Sequence, residues 1–300
     1  MISFYNRFNS IVVLMLLGSI AVSGEFYPTG GYQGGGYGSG GDKTLDVEVL
    51  NLKVYLGGCY ATDSLLPGLN VLGILPFGQP YNSDPAADWY YTGSESVDSI
   101  PTNRVVDWIL VELRETAGGS STANRDSVIG TRAGFIITDG TITDLDGASE
   151  LRFKYLKATE NFYAVVRHRN HLPVMNATTL VLVDEVRSWN FTDNPDKYYH
   201  ESGYTNNEPS VNLGSGKYGL WPGNAKPDKV VKFNGNNNDR EEILNLVGPL
   251  TPSKVVEGYY PEDLDLNGKV SYMGKNNDKV SIYLFLENNT LDSLKTHIPE

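Results

Sequence analysis

The chain has 300 residues, 36 acidic and 24 basic, and a formal charge of −12. That balance counts against nucleic acid and anionic membrane as partners, because both demand clustered Lys and Arg. The lone cysteine, Cys59, excludes an internal disulfide, so the fold must be held by its core, helped by metal.

The N-terminus reads as a secretion signal over residues 1–24. Arg7 is its only charge, Ile11 to Val22 is an apolar run of signal-core length, and Ala21-Val22-Ser23 offers small residues for cleavage. Removing Arg7 takes the net charge from −12 to −13. No other segment is apolar enough to cross a membrane, so the expectation is an exported protein, secreted or at the cell surface, without a stable span after cleavage. Residues 25–43 follow as a tether. Their TGGYQGGGYGSGGD run (29–42) lacks the surface to order itself, and it lacks the preceding strand and the Lys-Ser/Thr of a phosphate loop.

Residues 44–192 carry a β pattern. Leu45 to Val49 alternates with period two, and Val105 to Arg114 is a central strand candidate. On it Val105, Asp107, Ile109, Val111 and Leu113 share the face expected to meet the core. Gly134 to Thr143 reads as a hairpin around Asp139-Gly140, a dipeptide suited to a type I′ turn. Phe162 to His168, Leu180 to Asp184 and Val186 to Phe191 complete the strands. Short strands, frequent turn signals and no long helical period predict an antiparallel β-sandwich. Residues 193–222 are polar and Tyr-rich without a period, a loop or connector.

Catalytic signals are thin. His168 and His171 would need a turn at Asn170 and an added carboxylate to hold zinc. The favoured reading makes them caps on buried backbone groups, with Arg167 and Arg169 pairing acids on neighbouring strands. Asp107 on an apolar face fits as the partner of one of these arginines. No nucleophile elbow occurs, and Asp107 and Glu112 lie on opposite faces. The expectation is a protein that is not an enzyme. Asp144 and Asp146 with Gly147 read as a plain loop before a calcium turn. Trp89-Tyr90-Tyr91 and Tyr198-Tyr199 either stack on sugar rings or close the core beneath a loop.

The clearest signal lies in residues 223–300. NAKPDKVVKFNGNNNDREEI (224–243) and DLDLNGKVSYMGKNNDKVSI (263–282) are two copies of one unit, 39 residues apart. Alternate oxygen-bearing side chains followed by Gly are what a calcium loop needs, since the hard cation takes six to eight oxygens and Gly allows the sharp turn. In the second copy Asp263, Asp265 and Asn267 supply the first oxygens, the Lys269 carbonyl and Ser271 the next. Gly274 occupies the usual closing position, so Asp278 closes the loop if residues 272–275 bulge outward. The first copy is weaker: Asn224, Asp228 and Asp239 remain, but Lys226 and Lys229 stand where an oxygen and a Gly belong. Helical spacing follows each closing Asp, at Ile243, Leu244, Leu246 and Val247 and at Ile282, Tyr283, Phe285 and Leu286.

These units resemble the dockerin type I repeat, which implies a small α-helical, EF-hand-like domain of paired loop–helix units that bind Ca2+ and plug into a cohesin-type partner. The extended loop and eroded first copy depart from that family. VVDWILVELRE (105–115), ITDLDG (142–147) and VVRHRNHLPVMNA (165–177) are together similar to a family of secreted Bacteroidetes surface proteins, often called hemagglutinin- or adhesin-like. That resemblance implies extracellular placement and no known catalytic residues. The expected function is a binding or structural module in adhesion or assembly, its partner a cohesin-like or other surface protein or a glycan. The alternative is a secreted carbohydrate-active enzyme or carbohydrate-binding component that docks a cohesin-type partner.

Overall fold

A computed structural model describes residues 46–155, 161–204, 207–288 and 292–300. The signal and tether expectations lie outside these residues. The protein is mainly β, built on two larger sheets and several two-stranded ladders. The strands of the larger sheets are β1 (Asp46–Lys53), β2 (Val105–Glu115), β3 (Val128–Ile137), β4 (Ile142–Thr143), β5 (Leu151–Tyr155), β6 (Phe162–His168), β7 (His171–Met175), β8 (Val181–Val183) and β9 (Val186–Asn190). One sheet has the order β4-β3-β2-β6-β7 and is antiparallel throughout. The other has the order β8-β9-β1-β5.

In this second sheet β1 and β9 run parallel, Val49 facing Val186 and Lys53 facing Asn190. The expectation of an antiparallel arrangement is corrected at this one pair. Parallel neighbours need a long crossover, and the chain supplies it by building the whole first sheet between the two strands.

The sheets share one core that includes Leu50 and Leu52 of β1, Leu151 and Phe153 of β5, and most of β2. Gly130 marks the close approach: a methyl there would sit 2.8 Å from the Phe153 ring. β2 is buried on both faces. Trp108 and Leu110 are as enclosed as Ile109 and Val111, because the segment after β1 wraps over them. Tyr81 Oη donates to the Trp108 carbonyl at 2.9 Å, and Trp108 Nε1 donates to the Pro76 carbonyl at 2.8 Å. A register shift between Val105 and Asp107, and another between Val166 and His168, break strict alternation near the polar residues. Bulges of this kind re-aim side chains.

The Asp139-Gly140 hairpin forms, with a different turn. Gly140 N donates to Ile137 O at 2.8 Å and Ile137 N to Thr141 O at 3.0 Å. Only Gly140, at φ 86°, is left-handed. The loop therefore has three residues, a type I turn closed by a left-handed glycine, and not the two-residue type I′ form.

The true two-residue turn joins β8 to β9 through Asp184 and Glu185, at φ 50° and 65°. Both are exposed, and while Asp184 tolerates the left-handed region, Glu185 does not do so well. The double substitution Asp184→Asn with Glu185→Gly installs the dipeptide this turn favours, and is expected to raise stability by about 1 kcal/mol. A thermal melt checks this, and an unchanged melting temperature would count against strain at the turn.

The connector over 193–222 is partly ordered. A 3₁₀ turn at Pro195–Lys197 is followed by a ladder of Val211–Gly214 with Lys217–Gly219, and bridges join Asn176 to Tyr198 and Leu56 to Leu220. The segment 223–300 brings a second core of Val231, Ile243, Val247, Val270, Ile282 and Leu286, which Leu172 of β7 joins. All described residues belong to one compact unit.

Candidate metal loop and its polar support

Both repeats fold alike where they matter. Helices α1 (Asp239–Val247) and α2 (Asp278–Asn288) begin at the aspartates at the end of each loop. Asn238 Oδ1 accepts from Glu241 N at 3.1 Å, and Asn277 Oδ1 accepts from Val280 N at 3.0 Å, so each helix is capped by the same Asn. Their amide nitrogens each donate 2.6 Å to Gly235 O and Gly274 O. Arg240 lies over the Phe233 ring and Lys279 over Tyr272, again one repeat apart.

In the second loop the carboxylates of Asp263, Asp265 and Asp278 come together, their ligand atoms within 4.8 Å of one another. Asp278 reaches back across the loop: its two oxygens accept from Leu264 N at 2.9 Å and Ser271 N at 2.8 Å. Asp263 accepts from Asn267 N at 3.1 Å and Gly268 N at 2.8 Å. Met273 to Asn276 are exposed outside this closure. Each carboxylate oxygen has two acceptor directions, so one N–H bond leaves the other for a cation. Burial pushes the Asp263 carboxyl up to about 8, against the pull of Arg169, with Asp265 and Asp278 adding to the rise. Burial likewise pushes Asp278 up to about 7, and Asp265 adds to it. The donor set, all oxygen, is of the kind that fits a hard divalent cation.

The remaining candidates are placed less evenly. Asn267 lies beside the cluster, its amide nitrogen 2.8 Å from Asp265 Oδ2; serving as a ligand requires that amide turned over. Ser271 Oγ is 3.5 Å from Asp278 Oδ2. Lys269 sits opposite Glu257 in a short ladder, and its ammonium pairs with Glu257 at 3.3 Å.

The first loop gathers less charge. Asp239 copies Asp278, accepting from Lys226 N at 3.0 Å and Lys232 N at 2.7 Å. Burial pushes it up to about 7. Asp228 accepts from Val230 N at 2.8 Å, and Asn224 donates to the Asp228 carbonyl at 2.9 Å. Among the described residues, only the second loop assembles three acids.

Sequence reasoning missed what holds these loops. The β6–β7 turn, Arg167 to His171, is the joint. The Asn170 carbonyl accepts from Gly223 N at 3.2 Å and Asn224 N at 3.1 Å, where the first loop begins. The Asn170 side chain donates to the Asp263 carbonyl at 2.6 Å, where the second begins. A single asparagine thus grips both repeats, and no periodic pattern announces it. Beside it Asp107 Oδ2 meets Arg169 Nε at 3.0 Å and His168 Nε2 at 3.1 Å, while Oδ1 accepts from Tyr259 Oη at 2.7 Å and Trp108 N at 2.8 Å. Arg169 also donates to the Tyr260 carbonyl and lies over the Tyr259 ring. Arg167 pairs with Glu112 and Asp88, each at 2.6 Å.

The histidines complete a neutral chain. Gly58 N donates to His171 Nε2 at 3.2 Å, His171 Nδ1 lies 3.0 Å from His168 Nδ1, and His168 Nε2 faces Asp107. They satisfy buried groups at a strand corner, and both are almost fully enclosed. Burial lowers His168 and lowers His171 further. Burial, with repulsion from His200 second, lowers His297 to about 4. A depressed histidine contributes stability that is present above its unfolded value near 6.5 and is lost as pH falls toward the folded value. The melting temperature of His297→Gln should therefore fall less than that of the parent between pH 6.5 and about 4. Parallel melting curves across that window would refute the assignment.

Other candidates settle as structure. Asp146 caps its own turn, accepting from Ala148 N and Ser149 N. Cys59 is buried, and burial raises its thiol. Trp89 is enclosed, its Nε1 donating to the Arg169 carbonyl at 3.2 Å, and Tyr198 is enclosed as well. Of the triplet at 89–91 only Tyr90 stands exposed, so it forms no stacking platform.

No family model matches this chain, and neither a curated protein nor a solved structure matches it.

Proposed function

We propose that this chain is a non-catalytic binding or structural protein of the cell surface or extracellular space, whose second repeat holds one Ca2+ ion. The observation that carries the reading is the convergence of Asp263, Asp265 and Asp278 on one point of a Gly-turned loop. Asn267, Ser271 and the Lys269 carbonyl complete the set when the ion is bound. Calcium supplies no chemistry here beyond charge: it relieves the repulsion among three partly buried acids and ties the start of α2 to the loop. The first repeat, through Asn224, Asp228 and Asp239, is a weaker site of the same design. The dockerin-like character of the pair supports a role in adhesion or assembly, with a cohesin-like or other surface protein, or a glycan, as partner. Placement outside the cell suits both the acidic charge and a calcium-containing medium.

Calorimetry of the full chain with calcium tests this beside Asp265→Ala. Saturable binding is expected in the parent, with stability raised by about 2.7 kcal/mol at a hundred times Kd. The variant should lose it. Calcium that gives no heat and leaves the melting temperature unmoved would overturn the reading.

A further inference from the structure

The connector lines an open cleft of about 490 Å3 that the metal loop does not share. Its volume falls within the range of small-molecule sites. Pro195 and Pro209 form apolar walls, Tyr199 and His200 aromatic ones, and Asp196 and Glu208 stand at it as carboxylates. None of the residues lining it is Lys or Arg, and neither carboxylate has an ion-pair partner among the described residues. That charge disfavours phosphate, sulfate and other acidic ligands.

The aromatic wall is held from behind. Tyr199 Oη donates to Glu201 Oε2 at 2.9 Å, Glu201 N donates to His297 Nδ1 at 3.0 Å, and the His297 ring packs against His200 at 4.6 Å. A wall fixed before binding loses little entropy when a ligand arrives. Flat apolar surfaces beside free acceptors match one ligand chemistry well. The C–H face of a sugar ring packs on proline and aromatic rings, while its hydroxyls donate to carboxylates.

We infer that this cleft binds a neutral sugar, through Glu208 and Asp196 as hydroxyl acceptors and Tyr199, His200 and the two prolines as its walls. This deepens the binding-module reading and rests on it for the existence of an external ligand, though not for calcium. The chain has four histidines, and His200 is the exposed one. Its ring-proton NMR signal is identified by its loss in His200→Gln. The parent is titrated with glucose, galactose, N-acetylglucosamine and methylguanidinium. At least one sugar is expected to shift the His200 signal saturably, and Glu208→Gln should weaken that sugar about tenfold. No shift from any sugar, an equal shift in Glu208→Gln, or a response to methylguanidinium alone would each overturn the inference. Calcium calorimetry on the same samples reports separately whether the metal reading stands.

Discussion

Asp107→Asn is expected to destabilise the chain by about 3–5 kcal/mol, the cost of leaving a buried cation without its counter-charge. Asp107 is fully enclosed, and Arg169 is 2% exposed. Arg169 keeps the uncharged Tyr260 carbonyl and Tyr259 ring after the change and still faces Asp263 electrostatically, but among the described residues Asp107 is the carboxylate that pairs with it directly. The carboxylate also receives Tyr259 Oη, Trp108 N and His168, so an amide in its place cannot accept from all four donors at once. For a unit of this size the melting temperature should drop by about 10 °C. Arg104→Ala is the contrast. Its pair with Asp139 at 2.5 Å is about half exposed on both sides, and its loss should cost about 0.5 kcal/mol. Equal effects of the two substitutions would mean that the buried network does not hold the fold.

This network explains how a polar cluster that resembles a catalytic site is satisfied within the fold. Asp107, His168 and His171 are spent on one another and on Gly58 N, and they join three parts of the chain: β2 of the five-stranded sheet, the β6–β7 turn, and the Tyr259–Asp263 stretch ahead of the second loop. Buried polar groups cost free energy unless each is satisfied. Arg167, Arg169 and Asp107 are tolerable because the repeat segment and the Asp88 loop supply partners. The repeat segment is therefore part of what satisfies the polar groups buried between the sheets.

How much of this can be read from the residues follows from the range of each interaction. Val105 to Glu115 and Phe162 to His168 are legible because their apolar runs are local. The helices at 239 and 278 are legible because two sequence copies agree. The hairpin at Asp139-Gly140 is legible as a hairpin but not as a turn type, since the dipeptide serves two geometries and only the strand register separates them. The β1–β9 pairing joins residues more than a hundred positions apart, and nothing local records its direction. The pairing of Asp107 with Arg169 is foreseeable from charge on an apolar face. The grip of Asn170 on both repeats is not, because one asparagine in a turn looks like any other. Spacing finds Asp263 and Asp265, and the equivalence of Asp278 to Asp239 finds its return.

Gly58→Ala should damage the metal loop from outside it. A methyl at Gly58 would stand 1.9 Å from the Leu264 carbonyl oxygen, a backbone atom that no rotamer change can move. Gly58 N is held by His171, and Leu264 N is held by Asp278 Oδ1. Relief therefore requires one of two losses. If Gly58 withdraws, the histidine chain opens; if Leu264 withdraws, Asp278 is pulled from Asp263 and Asp265. Overpacking of this kind costs about 1–3 kcal/mol, and disturbing the support of a metal ligand lowers affinity by about tenfold or more. Gly78→Ala is the control, since a methyl there meets nothing within 4 Å and the position is not left-handed. It should change stability by no more than about 0.5 kcal/mol and leave calcium binding alone. If Gly58→Ala melts and binds calcium as Gly78→Ala does, the second loop is not seated on the 57–58 turn. If stability falls while calcium affinity holds, the strain has been taken up by the histidine side, and the loop keeps its ligands without that contact.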